Sequence, residues 1–108
     1  MPIPPEDIAD SLERVLASAT FARAQRAREL LAWLVRRAAD DDRGALKEAS
    51  IALDVFGRDA ATYDSSTDGV VRVAVNRLRE LLDRYYEGEG RSDAVRIEIP
   101  RGGYAPLL

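Results

Sequence analysis

The residues with the most evident chemistry lie on one predicted helix, residues 68–87. The side opposite its apolar stripe, with both edges of that side, carries seven such residues: Gly69, Arg72, Val73, Asn76, Arg77, Arg79 and Arg84. Arginine pairs with O6 and N7 of guanine or neutralises phosphate, asparagine pairs with adenine, and valine contacts the thymine methyl. A glycine at a helix N-terminus allows close approach of a phosphate. This pattern predicts a helix that reads the major groove of double-stranded DNA.

The same side of the helix also carries acidic residues. Glu80 and Asp83 oppose DNA binding unless they orient the arginines or accept from cytosine. Arg79 and Asp83 are four residues apart, as are Asp68 and Arg72, and that spacing permits ion pairs within the helix. The alternative interpretation is therefore an amphipathic core helix with a solvated charged face.

A second candidate element follows this helix at residues 94–108. Apolar Val95, Ile97 and Ile99 alternate with polar or proline residues, which is typical of a strand with one buried face. The turn at 101–103 contains two glycines and is followed by a segment that can return as a second strand. A hairpin of this kind predicts that Arg101 and Gly102 reach DNA, with Arg101 at the minor groove. The alternative is that Arg101 is a solvated turn residue.

The elements that must position these residues are helical. Apolar residues recur at helical spacing over about 5–18, 21–39, 47–56 and 68–87. We therefore predict one domain over 1–108, with an additional N-terminal helix in 1–19, a helical core over 21–87 and a hairpin over 94–108. The predicted fold is mainly α with a small β-hairpin. It is a winged helix-turn-helix with a three-helix core, an extra N-terminal helix and a C-terminal wing.

The composition limits the classes of function. The 108 residues, 46% hydrophobic and 32% charged, fit one folded domain. The absence of cysteine and histidine removes disulfides, thiolate metal sites and the commonest general base. No remaining carboxylate, hydroxyl or lysine pair has a recognisable catalytic spacing. We expect no enzyme activity, no cofactor and no metal.

The charge distribution bears on the partner and the compartment. The net charge of −3 opposes DNA binding, but residues 20–39 sum to +4 while 1–19 sum to −3. No apolar run approaches the roughly 20 residues that span a bilayer, and the N-terminus lacks the hydrophobic region of a signal peptide. We expect a cytoplasmic protein without a membrane partner.

The stretch 70–79 followed by 96–104 resembles the OmpR/PhoB-type winged helix-turn-helix DNA-binding domain. The likeness extends to a bacterial subgroup found at the N-termini of larger regulators. The resemblance implies sequence-specific DNA binding as a bacterial transcriptional regulator, with Asn76 and Arg77 facing bases. It places Arg101 in the minor groove, and Arg72 or Arg79 near phosphate or in structural pairs. In that family, the loop corresponding to 58–67 can contact RNA polymerase.

Two further partner hypotheses remain open. Single domains of this kind bind DNA weakly, so a homodimer or homo-oligomer is expected, with the N-terminal helix as one source of contact. Alternatively, the chain is a protein–protein interaction or oligomerisation module that uses the same fold without binding DNA. The acidic balance and Glu80 favour the second hypothesis. Contact with RNA polymerase or another regulator is compatible with either.

Overall fold

Four helices form the framework of the described part of the protein. The computed structural model describes residues 3–39, 47–101, 103–104 and 106–107. The helices are α1 (Pro5–Ala17), α2 (Gln25–Ala39), α3 (Glu48–Asp54) and α4 (Val70–Glu87). The four predicted helices are confirmed, with differences at their ends. None of the described helices is long and apolar enough to cross a membrane.

The largest difference is the start of α2, which begins at Gln25 rather than at residue 21. Residues 18–24 form turns instead, because side chains compete for their backbone groups. The Ser18 hydroxyl donates to the Val15 carbonyl (2.6 Å) and accepts from the Phe21 N–H (3.3 Å). The Glu89 carboxylate accepts from two further N–H groups of this turn, at 3.0 and 2.8 Å. These bonds hold Phe21 in the core, where its side chain is fully buried.

The core lies between α2 and α4, with α1 packed on α2 and α3 on α4. Each helix contributes the stripe that its apolar spacing predicts. The largest fully buried side chains come from every helix, from the turn before α2 and from the residues that follow position 93, called here the C-terminal segment. They are Val15, Phe21, Leu30, Leu31, Leu34, Ile51, Val71, Val75, Leu78 and Ile97. The C-terminal segment is therefore part of the core rather than an appendage.

The predicted β-hairpin is not formed. Within the described part of 94–107 there is no strand, and the only pairing is an isolated antiparallel bridge between Glu98 and Leu107. The Glu98 N–H donates to the Leu107 carbonyl (2.9 Å), and the Leu107 N–H donates back (2.7 Å). The mainly α class is confirmed, but the winged helix-turn-helix with a hairpin wing is wrong for this chain. Four helices followed by an extended C-terminal segment replace it.

Side chains of α4 hold the C-terminal segment by its backbone groups. The Arg79 guanidinium takes the carbonyls of Ile99 and Pro100, and the Tyr86 hydroxyl accepts from the Ile97 N–H (2.7 Å). Pro100 has no N–H to donate. The Ile97 N–H and the Ile99 carbonyl face α4, whereas the Pro100 carbonyl lies on the same side of the segment as the paired groups of Glu98 and is taken by Arg79. The alternation still predicted burial correctly, because Ile97 and Ile99 are buried while Arg96 lies exposed.

Candidate nucleic-acid interface

The outer face of α4 carries the residues expected to contact bases. Val73 is 71% exposed, although most valines in a helix of a small domain pack inside. Asn76 and Arg77 are also exposed. The opposite face is fixed in the core by Val71 and Val75, which are fully buried. The helix thus presents this face on a rigid support.

The N-terminus of α4 is occupied by a carboxylate of the protein itself. Gly69 is the N-cap residue, and the Asp68 carboxylate accepts from the Val70 N–H (3.1 Å). Arg58 Nε donates to the same carboxylate (2.7 Å), and this bond lowers the pKa of Asp68. Gly69 has a φ of −86°, and a Cβ there would meet only Arg72 Nη2 at an ordinary 3.5 Å. A phosphate at this helix end would therefore have to approach a neighbouring negative charge.

Arg72 joins α4 to α3 and to the loop between them. Its Nη1 donates to Glu48 Oε1 (2.9 Å) and its Nη2 donates to the Ser65 carbonyl (2.6 Å). Glu48 also accepts from the hydroxyls of Tyr63 and Tyr104, both at 3.2 Å. Burial and the Glu48 charge raise the pKa of both tyrosines. Glu48 of α3 therefore links the loop before α4, α4 itself and the C-terminal segment, through Tyr63, Arg72 and Tyr104 respectively.

Arg79 fastens the C-terminal segment to α4. Its guanidinium donates to the carbonyls of Ile99 (3.0 Å), Pro100 (2.8 Å) and Gly103 (3.1 Å). It also donates to Asn76 Oδ1 (2.8 Å). Four bonds use most of the five N–H groups that a guanidinium has. Arg79 thus positions both the segment and the Asn76 amide, rather than facing solvent as a free cation.

Of the arginines predicted to contact DNA, three keep their guanidinium groups accessible: Arg77, Arg84 and Arg101. Among the described residues Arg77 has one partner, Glu80 Oε2 at 3.3 Å, and the two side chains are 52% and 65% exposed. Such exposed pairs contribute little and exchange readily. Arg84 and Arg101 are exposed and, within the described ranges, their side chains have no hydrogen-bond or ion-pair partner. These three groups are available to an anionic ligand.

A groove of about 360 Å³ separates the C-terminal half of α4 from the C-terminal segment. Arg79 and Arg101 line it together with Asp83. Arg96 lines it as well and lies over the Tyr86 ring, 5.3 Å from its centroid. The groove therefore has mixed charge. Sequence analysis did not identify Arg96, although its place in the alternating stretch marked it as solvent-facing.

Two ion pairs within α4 or at its start that the sequence spacing permits are not formed in the part of the chain that the structure describes. Among the described residues, the helical spacing of Arg79 and Asp83 does not give an ion pair, and Arg72 does not bond to Asp68. Gly102 lies outside the described residues. The role of Glu48 was not predicted from the sequence, because the residues that bond to it are distant in the chain. No group of acidic residues in the described part of the molecule could hold a metal ion.

The arrangement can recognise a polyanion through arginines and a base edge through Asn76 and Val73. Comparison of the chain with protein-family models, with curated proteins and with solved structures found no match. The case for function therefore rests on the side chains of α4 and of the segment that Arg79 holds against it.

Proposed function

We propose that this chain binds double-stranded DNA, as the DNA-binding part of a bacterial transcriptional regulator. The outer face of α4 enters the major groove, and Arg101 approaches the adjacent minor groove. The single observation that carries the proposal is the exposed set of Val73, Asn76 and Arg77 on a helix whose other face is locked in the core. The resemblance of 70–79 and 96–104 to OmpR/PhoB-type sequences supports the same conclusion.

The three side chains have complementary roles in this mechanism. Arg77 exchanges its exposed partner Glu80 for O6 and N7 of a guanine. Within the described residues the amide N–H groups of Asn76 have no partner, and its oxygen accepts from Arg79. The amide oxygen has a second lone pair, so pairing with N6 and N7 of adenine remains open to it. Val73 contacts a thymine methyl.

Phosphate contacts come from cations without strong internal partners. Arg84 fits this role because it is exposed, whereas Arg101, which is also exposed, is assigned to the minor groove. Arg72 and Arg79 act differently in the proposal, by holding α4 and the C-terminal segment in place. Since the net charge is −3, non-specific attraction to DNA is weak and specific contacts carry a larger share of the affinity. Binding by one copy is therefore weak.

The test is a fluorescence-anisotropy titration at several salt concentrations, against a duplex selected for tight binding from a random-sequence pool. Each phosphate contact contributes a slope of about −0.9 in log K against log salt. We expect Arg77→Ala/Arg101→Ala to weaken binding by at least roughly tenfold, since losing one good base contact costs about 1–3 kcal/mol. Arg91→Ala is the control for the single variants Arg77→Ala and Arg101→Ala, because each removes one exposed arginine and Arg91 lies in the loop after α4.

Two outcomes would overturn the proposal. Absence of binding at low salt removes DNA as a ligand of this chain. Equal binding by the parent and the double variant removes the assigned interface. The competing function is a protein-interaction module, and the exposed Val73 and Leu107 (71% and 51%) are the observation that favours it.

A further inference from the structure

A second surface, on α1 and α2, is distinct from the proposed DNA interface. A groove of about 530 Å³ lies along α2 and is closed at one side by Leu16 of α1. Ala32 and the half-buried Trp33 form its apolar part, and Arg28 and Arg36 line it. Cationic edges of this kind suit an acidic protein surface.

The charge of this groove is positive in a protein that is negative overall. Arg36 is exposed and has no ion-pair partner within the described ranges. The one acidic lining residue, Glu29, is already engaged by Gln25 (3.0 Å) and lies near Arg26 (3.8 Å). Arg28 Nε is buried without a hydrogen-bond partner. The groove therefore retains unused donors and positive charge.

A matching acidic stripe lies on α1 of the same chain. Glu6, Asp10 and Glu13 are exposed, and none has an ion-pair partner in the part of the chain that the structure describes. At about 100° per residue, they fall within roughly 60° of one another around the helix. Leu16, which lines the groove, lies about 60° from Glu13 by the same geometry. The acidic stripe and the groove are thus neighbouring halves of one surface.

We propose that this surface binds a second copy of the chain, with the acidic stripe of each α1 in the α2 groove of the other copy. A surface with adjacent positive and negative halves is self-complementary, because a two-fold axis places the positive half of each copy against the negative half of the other. α1 has 13 residues and is roughly 20 Å long, so the interface is small and the dimer is weak and salt-sensitive. The inference does not depend on DNA binding.

The test uses two charge-reversed variants and sedimentation equilibrium over a wide range of protein concentration. Arg36→Glu makes the groove less positive, and Asp10→Arg/Glu13→Arg makes the stripe positive. Each variant alone should dimerise at least roughly tenfold more weakly than the parent, because each change acts at both copies of the contact. Mixed together, the two variants should form a heterodimer more readily than either forms a homodimer, because one contact then pairs the unchanged acidic stripe with the unchanged groove and the other pairs the basic stripe with the less positive groove.

The mixture guards against a trivial explanation, because a misfolded variant would not recover dimerisation on mixing. Arg91→Glu is the control, with the same charge change in the loop after α4, and it should dimerise like the parent. A parent that remains monomeric at the highest soluble concentration overturns the proposal. So does a dimer that Arg36→Glu leaves unchanged, or a mixture of the two variants that remains monomeric.

Discussion

Removal of the Arg79 guanidinium tests the central structural claim about the C-terminal segment. In the parent, Arg79 donates to three carbonyls of residues 99–103 and to Asn76 Oδ1. Hydrogen bonds to a charged group contribute about 1.5–3 kcal/mol each when buried. Arg79 is only partly buried, and water can replace some of the lost donors. We therefore expect Arg79→Ala to lower the free energy of unfolding by about 2–3 kcal/mol.

Arg79→Ala should also increase local opening of the C-terminal segment, besides lowering the global free energy of unfolding. The buried Ile97 and Ile99 keep part of the segment in place, but the Glu98–Leu107 bridge should open more often. The measurements are urea unfolding and amide hydrogen exchange at Glu98 and Leu107. Arg79→Lys should resemble Arg79→Ala, because an ammonium cannot reproduce the fork of a guanidinium.

Arg77→Ala is the matched control, since its one partner is the exposed Glu80. It should change stability by less than about 0.5 kcal/mol. The reasoning would be refuted if Arg79→Ala kept the stability of the parent and the slow exchange of Leu107.

Two further predictions concern the loop after α4. A Cβ at Gly90 would overlap the ring of the buried Tyr85, so Gly90→Ala should lower the free energy of unfolding in urea by about 1–3 kcal/mol. Gly103→Ala is the control, because a Cβ at Gly103 meets no described atom within 4 Å. Equal losses of stability in the two variants would contradict this reasoning. Hydrogen bonds from Thr20 and the Ala19 N–H lower the pKa of Glu89 below its usual 4.5. Its stabilising contribution is therefore present above pH 4.5 and is lost as the pH falls through the lowered folded-state pKa. Urea midpoints should fall less steeply with acidification in Glu89→Ala than in the parent, and parallel curves would argue against the role of this carboxylate.

The helices were predictable because their signal is local. The apolar spacing of α4 depends only on neighbours three and four residues away, and it placed Val71 and Val75 in the core and Val73 outside. The start of α2 was less predictable. It follows both from local bonds of the Ser18 hydroxyl and from Glu89, which is about 70 residues away from the turn that it caps.

The C-terminal segment shows where a local pattern is insufficient. Alternation at 95–99 identified the buried face correctly, since Ile97 and Ile99 are in the core. It did not reveal which groups would take the backbone hydrogen bonds. Tyr86 and Arg79 of α4 bind the Ile97 N–H and the Ile99 carbonyl, Pro100 has no N–H to donate, and in the described part of the segment a single bridge joins its two halves.

The roles of the arginines were decided by tertiary structure alone. In the sequence, Arg72, Arg77 and Arg79 are equivalent cations at the edges of one helix face. Composition and spacing were enough to establish that this face is charged and that its opposite is buried. Arg72 bonds to Glu48, which is 24 residues away in the chain, and Arg79 bonds to the Ile99 carbonyl, which is 20 residues away. Among the described residues Arg77 bonds to Glu80, a neighbour on its own helix. Folding thus separates the arginines that hold the structure together from those left accessible to a ligand, because the partners of the first group are brought near only when the chain is folded.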